Sequence, residues 1–295
     1  MLASLKKNIR SLTRDREHGA GFLSCRALEI LAKAGAESTA GTVDKFLAEI
    51  NGVADALIEA RPDMVSIANY ALFVKEELAA AAVAAKSAQR LKKTTFSMAG
   101  RLLKSQEKSS AAASRNAVKL VARHSIIMTC SYSSAVCTTL EMARRGGTDF
   151  KVLSIESHHQ EISYGEIAAL RLKAAGISCS VVPDEQIGWH VARADFILGG
   201  ADTVSLHGWL INGAPTLALA EAAARKKRPF HVICETAKFD ARGLLHGLHQ
   251  PPSGFDLVPL NLMTDIVTEH GAAKIADVLK FTTKDLYGGW HGRTG

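Results

Sequence analysis

From about Ser125 onward the sequence alternates short apolar runs with helix-length amphipathic segments, a rhythm that few folds accept. Ile126–Thr129 precedes Ser134–Arg145, Val152–Ile155 precedes Gly165–Ala175, and Ser178–Val182 precedes a short helical stretch near Gln186–Arg193. Phe196–Leu198, a helix over Thr216–Lys227 and Phe230–Cys234 continue the pattern. Strands of this length separated by helices indicate βαβ units and a parallel sheet, in which each parallel neighbour is reached by a crossover. The expectation is an α/β unit with helices on both faces of that sheet.

The first 120 residues follow a different period. Apolar residues recur at three and four spacings in Leu28-Leu31-Ala32, in Val43-Phe46-Leu47-Ile50 and in Ile67-Ala71-Val74-Leu78, which reads as helix. Thr42 stands where a helix cap belongs, with Lys45 in place of the acid of a full capping box. Arg61-Pro62-Asp63 ends one helix and opens another. The chain is therefore divided into a helical N-terminal domain, residues 1–122, and a Rossmann-like domain, residues 123–295, which carries most of the ligand site. Ser109–Ser114 is Ser/Ala-rich but equally continues a helix.

The formal charge is +7, which by itself invites a nucleic-acid reading. Residues 1–120 hold 19 Lys+Arg against 12 Asp+Glu, whereas residues 121–295 hold 17 of each, so the excess sits wholly in the helical part. Its densest run, Lys86 to Lys108, carries seven basic residues and one acid, and reads as a solvated helix face. Phe96 alone interleaves aromatically, which argues against a nucleic-acid partner. Met1-Leu-Ala-Ser-Leu-Lys-Lys has no sustained apolar core of a secretory signal, and the stretch around Leu78–Ala85 is far short of the ~20 apolar residues of a membrane span. Five cysteines without CxxC spacing fit reduced thiols and a cytoplasmic location.

In a doubly wound sheet, ligands bind at the carboxyl ends of the strands. Three segments lie there. Thr129-Cys130-Ser131-Tyr132-Ser133-Ser134 joins a strand to a helix, and its hydroxyls and amides suit a phosphate or simply an N-cap. Leu198-Gly199-Gly200-Ala201-Asp202 puts an acid at the cleft mouth, either as general acid/base on a sugar hydroxyl or as the cap of a turn. In Cys234-Glu235-Thr236-Ala237-Lys238-Phe239, Lys238 is a candidate phosphate contact oriented by Glu235, or half of a surface ion pair. No Walker loop, GxGxxG fingerprint or zinc spacing occurs, so no cofactor and no metal are expected. His158 and His159 are adjacent and would face opposite ways on a strand.

Ile126-Ile-Met-Thr-Cys-Ser-Tyr-Ser, Gly200-Ala-Asp-Thr-Val, Asn212 and Glu235-Thr-Ala-Lys-Phe, in that order, resemble one superfamily. It contains the alpha, beta and delta regulatory subunits of eukaryotic translation initiation factor two-B, with ribose-1,5-bisphosphate isomerase and methylthioribose-1-phosphate isomerase as enzyme members. Gly19-Ala20-Gly21 and Arg61-Pro62-Asp63-Met64-Val65-Ser66 look like its two N-terminal signatures, so the resemblance runs from about residue 15 to residue 270. It implies a helical domain packed on a Rossmann-like domain, a homodimer formed through the C-terminal domain, and a phosphorylated sugar or nucleotide as ligand. In the enzymes an aldose 1-phosphate opens and isomerises to a ketose, with a cysteine and an aspartate as acid-base pair. Asp202 matches that aspartate, Arg61 an arginine on the substrate phosphate, and Asn212 a substrate-contacting asparagine. Gly19, Ala20, Gly21, Ser133, Ser134 and Lys238 complete the implied binding set.

The sequence departs from the enzyme pattern at the cysteine. That position is Ser131, whose hydroxyl is a far weaker acid than a thiol at about 8.5, while Cys130 sits one residue early. Gly213 replaces the lysine after the asparagine, and Glu156-Ser157-His158-His159 loses an arginine. The reading is a regulatory or other non-isomerase member that binds its ligand in the interdomain cleft, with a possible protein partner. The alternative is an aldose-ketose isomerase using Asp202, with Ser131 or Cys130 in place of the thiol.

Overall fold

The computed structural model describes residues 3–85, 87–245 and 250–290. It divides into two compact units, one running to Lys108 and including the C-terminal residues from Gly289, the other spanning Ser109–Gly288. Among the described residues no helix is long and apolar enough to cross a membrane.

The first unit is built from α1 (Ala3–Arg14), α2 (Ala20–Glu37), α3 (Val43–Ala60), α4 (Val65–Ala84) and the first part of α5 (Ala88–Ala117). Thr42 caps α3 by accepting the Lys45 N–H at 3.4 Å, and Arg61 is the residue on which α3 ends. The N-terminal half of α4 is buried on nearly every side, from Val65 through Val74, which makes it the centre of the bundle. Trp290 stacks on Tyr70 at 4.6 Å and meets Phe73 edge-on. On α5, Leu91, Met98, Ala99 and Leu102 are buried while Arg90, Lys93, Arg101, Lys104 and Lys108 are exposed. Much of the charge excess is thus the solvent side of one amphipathic helix; Lys86 lies outside the described residues.

In the second unit, α5 passes through a short turn into β1 (Ile126–Thr129) and α6 (Ser134–Arg145). There follow β2 (Lys151–Ile155), the small hairpin β3 (His158–His159) and β4 (Ile162–Ser163), α7 (Tyr164–Ala174), β5 (Ser178–Val182), α8 (Ile187–Val191) and β6 (Phe196–Gly199). Next come β7 (Thr203–Ser205), β8 (Trp209–Gly213), α9 (Thr216–Arg225), β9 (Phe230–Ile233), β10 (Phe239–Asp240), β11 (Phe255–Pro259), β12 (Asp265–Thr268) and β13 (Gly271–Ala273). The main sheet has the order β13-β12-β9-β6-β1-β2-β5 and is parallel except for its β12–β13 edge.

Successive parallel strands therefore add outward from β1 on one side through β2 and β5, and on the other through β6, β9 and β12. The order reverses between β1 and β6, where the loops leaving the two carboxyl ends diverge and open a crevice. The apolar runs form these strands because both faces are covered: Ile127, Val152, Leu198, Ile233 and Val267 join Leu140 of α6 and Leu172 of α7 in one core, and the alternate positions Met128, Ile197, Val232 and Ile266 are fully buried as well. A second sheet, order β10-β7-β8-β11, stands beyond β6 and was not expected from the sequence. Its strands are short, and β10 and β11 are separated from their partners β7 and β8 by α9 and the main-sheet strand β9. The edge strand β13 was likewise unforeseen.

Candidate functional site

The residues singled out in the second unit follow the carboxyl ends of β1, β6 and β9 or lie on the adjoining strand β8. β1 ends in buried Cys130, and Ser131 then takes a left-handed conformation at φ +61°, unusual for a residue with a side chain. Ser133 caps α6 with its hydroxyl accepting the Val136 N–H at 3.4 Å, while Ser134 opens the helix and is exposed. The remaining first-turn amides face out of the helix end, the geometry that receives an anion. Across the crevice, Gly200 follows β6 so closely that a methyl group there would stand 2.6 Å from Ser133 Oγ. Only the missing side chain lets the two strand ends approach.

Cys130 is buried between two hydroxyls. Its Sγ lies 3.3 Å from Ser157 Oγ and 3.5 Å from Thr216 Oγ1. Burial pushes this thiol up to about 12, against the pull of those two hydroxyls. Ser157, itself buried and at φ +51°, also accepts the Ser131 N–H at 2.7 Å and donates to the Ile155 carbonyl. Its own N–H goes to Asp184 Oδ1 at 2.8 Å. Sequence reasoning did not select Ser157 or Asp184, although each follows the carboxyl end of a strand and the same edge rule would have reached them.

Asn212 on β8 is buried and donates to Thr216 Oγ1 at 2.9 Å, and that hydroxyl donates to the Gly213 carbonyl at 2.6 Å. Gly213 packs against Ser131, since a Cβ at 213 would run into Ser131 Oγ. Asp256 on β11 accepts the Leu217 N–H at 2.9 Å and so caps α9 from a neighbouring strand, with burial raising its carboxyl above the usual range.

The third segment is more deeply set than a surface pair. Glu235 and Lys238 are 2 % and 7 % exposed and meet at 3.2 Å. Burial works against both charges, yet Lys238 holds the Glu235 carboxyl below its usual range, and Glu235 with Asp202 holds the Lys238 ammonium above its own. Ser110 of α5 adds a hydrogen bond to Glu235. Asp202 is partly buried just beyond β6, its N–H donating to the Ile211 carbonyl at 2.9 Å. Asp202, Glu235 and Lys238 thus form one electrostatic group.

The remaining candidates belong to the first unit. Gly19 caps α2 without a side-chain hydrogen bond, Ala20 is buried and Gly21 half-buried. Arg61 is buried, forked onto Asp63 (Nη2 to Oδ2 3.2 Å) and donating through Nη1 to the Asp15 carbonyl at 3.1 Å. Ser24 and Ser66 hydroxyls meet at 2.7 Å. The two N-terminal signatures are therefore neighbours, one bracing the other. Among the described residues no three His, Cys, Asp or Glu side chains converge as a metal would require.

The model of the Initiation factor 2 subunit family matches residues 16–250. A protein of Pyrococcus furiosus named for translation initiation factor eIF-2B subunit 2 is 26% identical over 283 residues, covering 90% of this chain and 94% of that protein. Ribose 1,5-bisphosphate isomerase of Archaeoglobus fulgidus is 24% identical over 250 residues, covering 78% of this chain and 77% of the enzyme. The crystal structure of the Pyrococcus horikoshii OT3 translation initiation factor eIF-2B superposes with a TM-score of 0.81 at 23% identity, over 95% of this chain and 100% of that one.

Proposed function

This chain belongs to the Initiation factor 2 subunit family, and on that premise we propose that it binds a phosphorylated sugar or nucleotide at the carboxyl edge of the large sheet as a regulatory, non-isomerase member. The observation that carries the reading is the state of the loop thiol. Cys130 is buried, bonded on two sides and pushed up to about 12, and the next position offers only the Ser131 hydroxyl. A proton shuttle needs a group that titrates near the working pH. Neither group does. An anionic ligand is supported by the helix end that follows β1, where Ser133 occupies one of the first-turn amides of α6. Such a member acts through association, as a homodimer or with a protein partner.

The second reading, aldose-ketose isomerisation of a ribose 1-phosphate, is favoured by Asp202, whose carboxylate is coupled to Lys238 beside the crevice. One experiment separates the two. Thermal unfolding is followed with ribose 5-phosphate, ribose 1,5-bisphosphate and AMP, and ketose formation is assayed in parallel. A ligand at a hundred times its Kd stabilises by about 2.7 kcal/mol, a shift of several degrees. A rise in Tm without turnover is the expected result. Turnover abolished by Asp202→Asn would overturn the proposal.

A further inference from the structure

We infer that Arg171 on α7 is a positioning residue for the β1–α6 loop, holding Ser131 in its left-handed conformation through Tyr132; this rests on the loop being the seat of the ligand anion.

The Arg171 guanidinium makes four hydrogen bonds. Nε and Nη2 donate to Glu141 Oε1 and Oε2 at 2.6 and 3.1 Å, Nη2 also donates to Thr138 Oγ1 at 2.9 Å, and Nη1 donates to Tyr132 OH at 3.2 Å. The first three contacts end on α6. The fourth ends on the loop itself, on the residue between Ser131 and the helix cap Ser133. The fork onto Glu141 fixes the plane of the guanidinium, so the direction of Nη1 is set before Tyr132 meets it.

Ser131 needs such help. A residue with a side chain in the left-handed region is strained and persists only where its surroundings over-determine it. The preceding side is held by buried Cys130 and by the Ser131 N–H on Ser157 Oγ at 2.7 Å. The following side has the Tyr132 ring packed against the core and its hydroxyl on Arg171. Ser131 lies between two fixed points, and its φ relaxes only if one of them releases. Arg171 stays charged at every accessible pH, so the second point does not titrate away.

Amide hydrogen exchange over residues 130–134 tests this on the full chain without ligand. Tyr132→Phe removes only the hydroxyl, Arg171→Met removes the clamp, and Thr138→Val removes a contact of the same guanidinium that does not touch the loop. The expected result is exchange about tenfold faster in the first two variants and unchanged in the third. Titration with ribose 5-phosphate should then show Kd raised about tenfold in Tyr132→Phe with Thr138→Val at the wild-type value. Wild-type exchange in Tyr132→Phe, or equal effects in Tyr132→Phe and Thr138→Val, would overturn the inference and leave Arg171 as a staple between helices. If Arg171→Met does not fold, Tyr132→Phe still decides. If the wild-type protein fails to bind ribose 5-phosphate, the ligand reading falls while the exchange data still judge Arg171.

Discussion

Removing Glu235 alone should destabilise the second unit more than almost any other polar substitution. The carboxylate and the Lys238 ammonium are 3.2 Å apart and nearly excluded from solvent. At an effective dielectric near 20 that separation corresponds to about 5 kcal/mol of attraction, part of which is absorbed by the cost of desolvating both ions. Breaking a buried pair from one side typically costs about 3–5 kcal/mol, because the remaining charge is stranded. Asp202 also favours the Lys238 charge and softens the loss, so Glu235→Gln should fall toward the lower end of that range. For a unit of this size, Tm drops by on the order of 10 °C. The double variant Glu235→Leu/Lys238→Met removes both charges and should recover most of the loss. The pair's pH window follows from the two directions. The Glu235 contribution is present above the ordinary carboxylate pKa and is lost as pH falls through its depressed folded value. The Lys238 contribution is present below the ordinary lysine pKa and is lost as pH rises through its raised folded value. Between about pH 5 and pH 10 the contribution is therefore flat. Thermal melts of both variants from pH 5 to 9 measure it. A loss below about 1 kcal/mol in Glu235→Gln, or a double variant no better than the single one, would refute the buried-pair account.

Native protein at pH 8 should leave Cys130, Cys137 and Cys179 unreacted with a disulfide reagent, since burial pushes these thiols up to about 12, 12 and 11; half-buried Cys25 should react first, and all five only in denaturant. Mass mapping of the labelled thiols checks the order. Gly200→Ala should cost about 1–3 kcal/mol, because its methyl group would lie 2.6 Å from Ser133 Oγ and force the α6 cap away; urea unfolding reads the change in midpoint. Asp265 is held below its usual range despite burial by His231 Nδ1 at 2.7 Å and by Lys274, so its stabilising contribution should be present above about pH 4 and fade as pH falls further. Urea midpoints between pH 3 and 7 should show Asp265→Asn flattening that slope.

The central sheet was legible because strands buried on both faces have no choice but to be apolar throughout. Ile126–Thr129 and Phe196–Gly199 carry that signature in four residues each, whereas the edge strand Ser178–Val182 exposes Ser178 and Ser180. The second sheet carries none. Thr203–Ser205 and Phe239–Asp240 are too short for any period, and β10 pairs with β7 across more than thirty intervening residues. The candidate site divides in the same way. Cys130, Ser131, Asp202 and Lys238 follow from the rule that ligands meet strand ends, a rule about position. What each side chain does there depends on partners that no spacing reveals. Glu235 and Lys238 read equally well as a surface pair until their burial is seen, and Arg61 turns out to be forked onto Asp63, two residues away.

The two departures at Ser131 and Gly213 are 82 positions apart in sequence and adjacent in space. They are best understood as one change. The hydroxyl of Ser131 occupies the volume that any side chain at 213 would need, so a lysine at 213 demands that Ser131 turn elsewhere. Turning is restricted, because the Ser131 N–H is held by Ser157 and Tyr132 is held by Arg171. Ser157 and Thr216, in turn, flank the buried Cys130 thiol. The loop therefore has one set of anchors that sets the Ser131 hydroxyl against Gly213 and keeps the Cys130 thiol buried. Substituting Ser131 by Cys would place a thiol at the right position, but over a glycine that supplies no cation to stabilise its ionised form. The hydroxyl at 131, the glycine at 213 and the buried thiol at 130 are thus three sides of one local geometry.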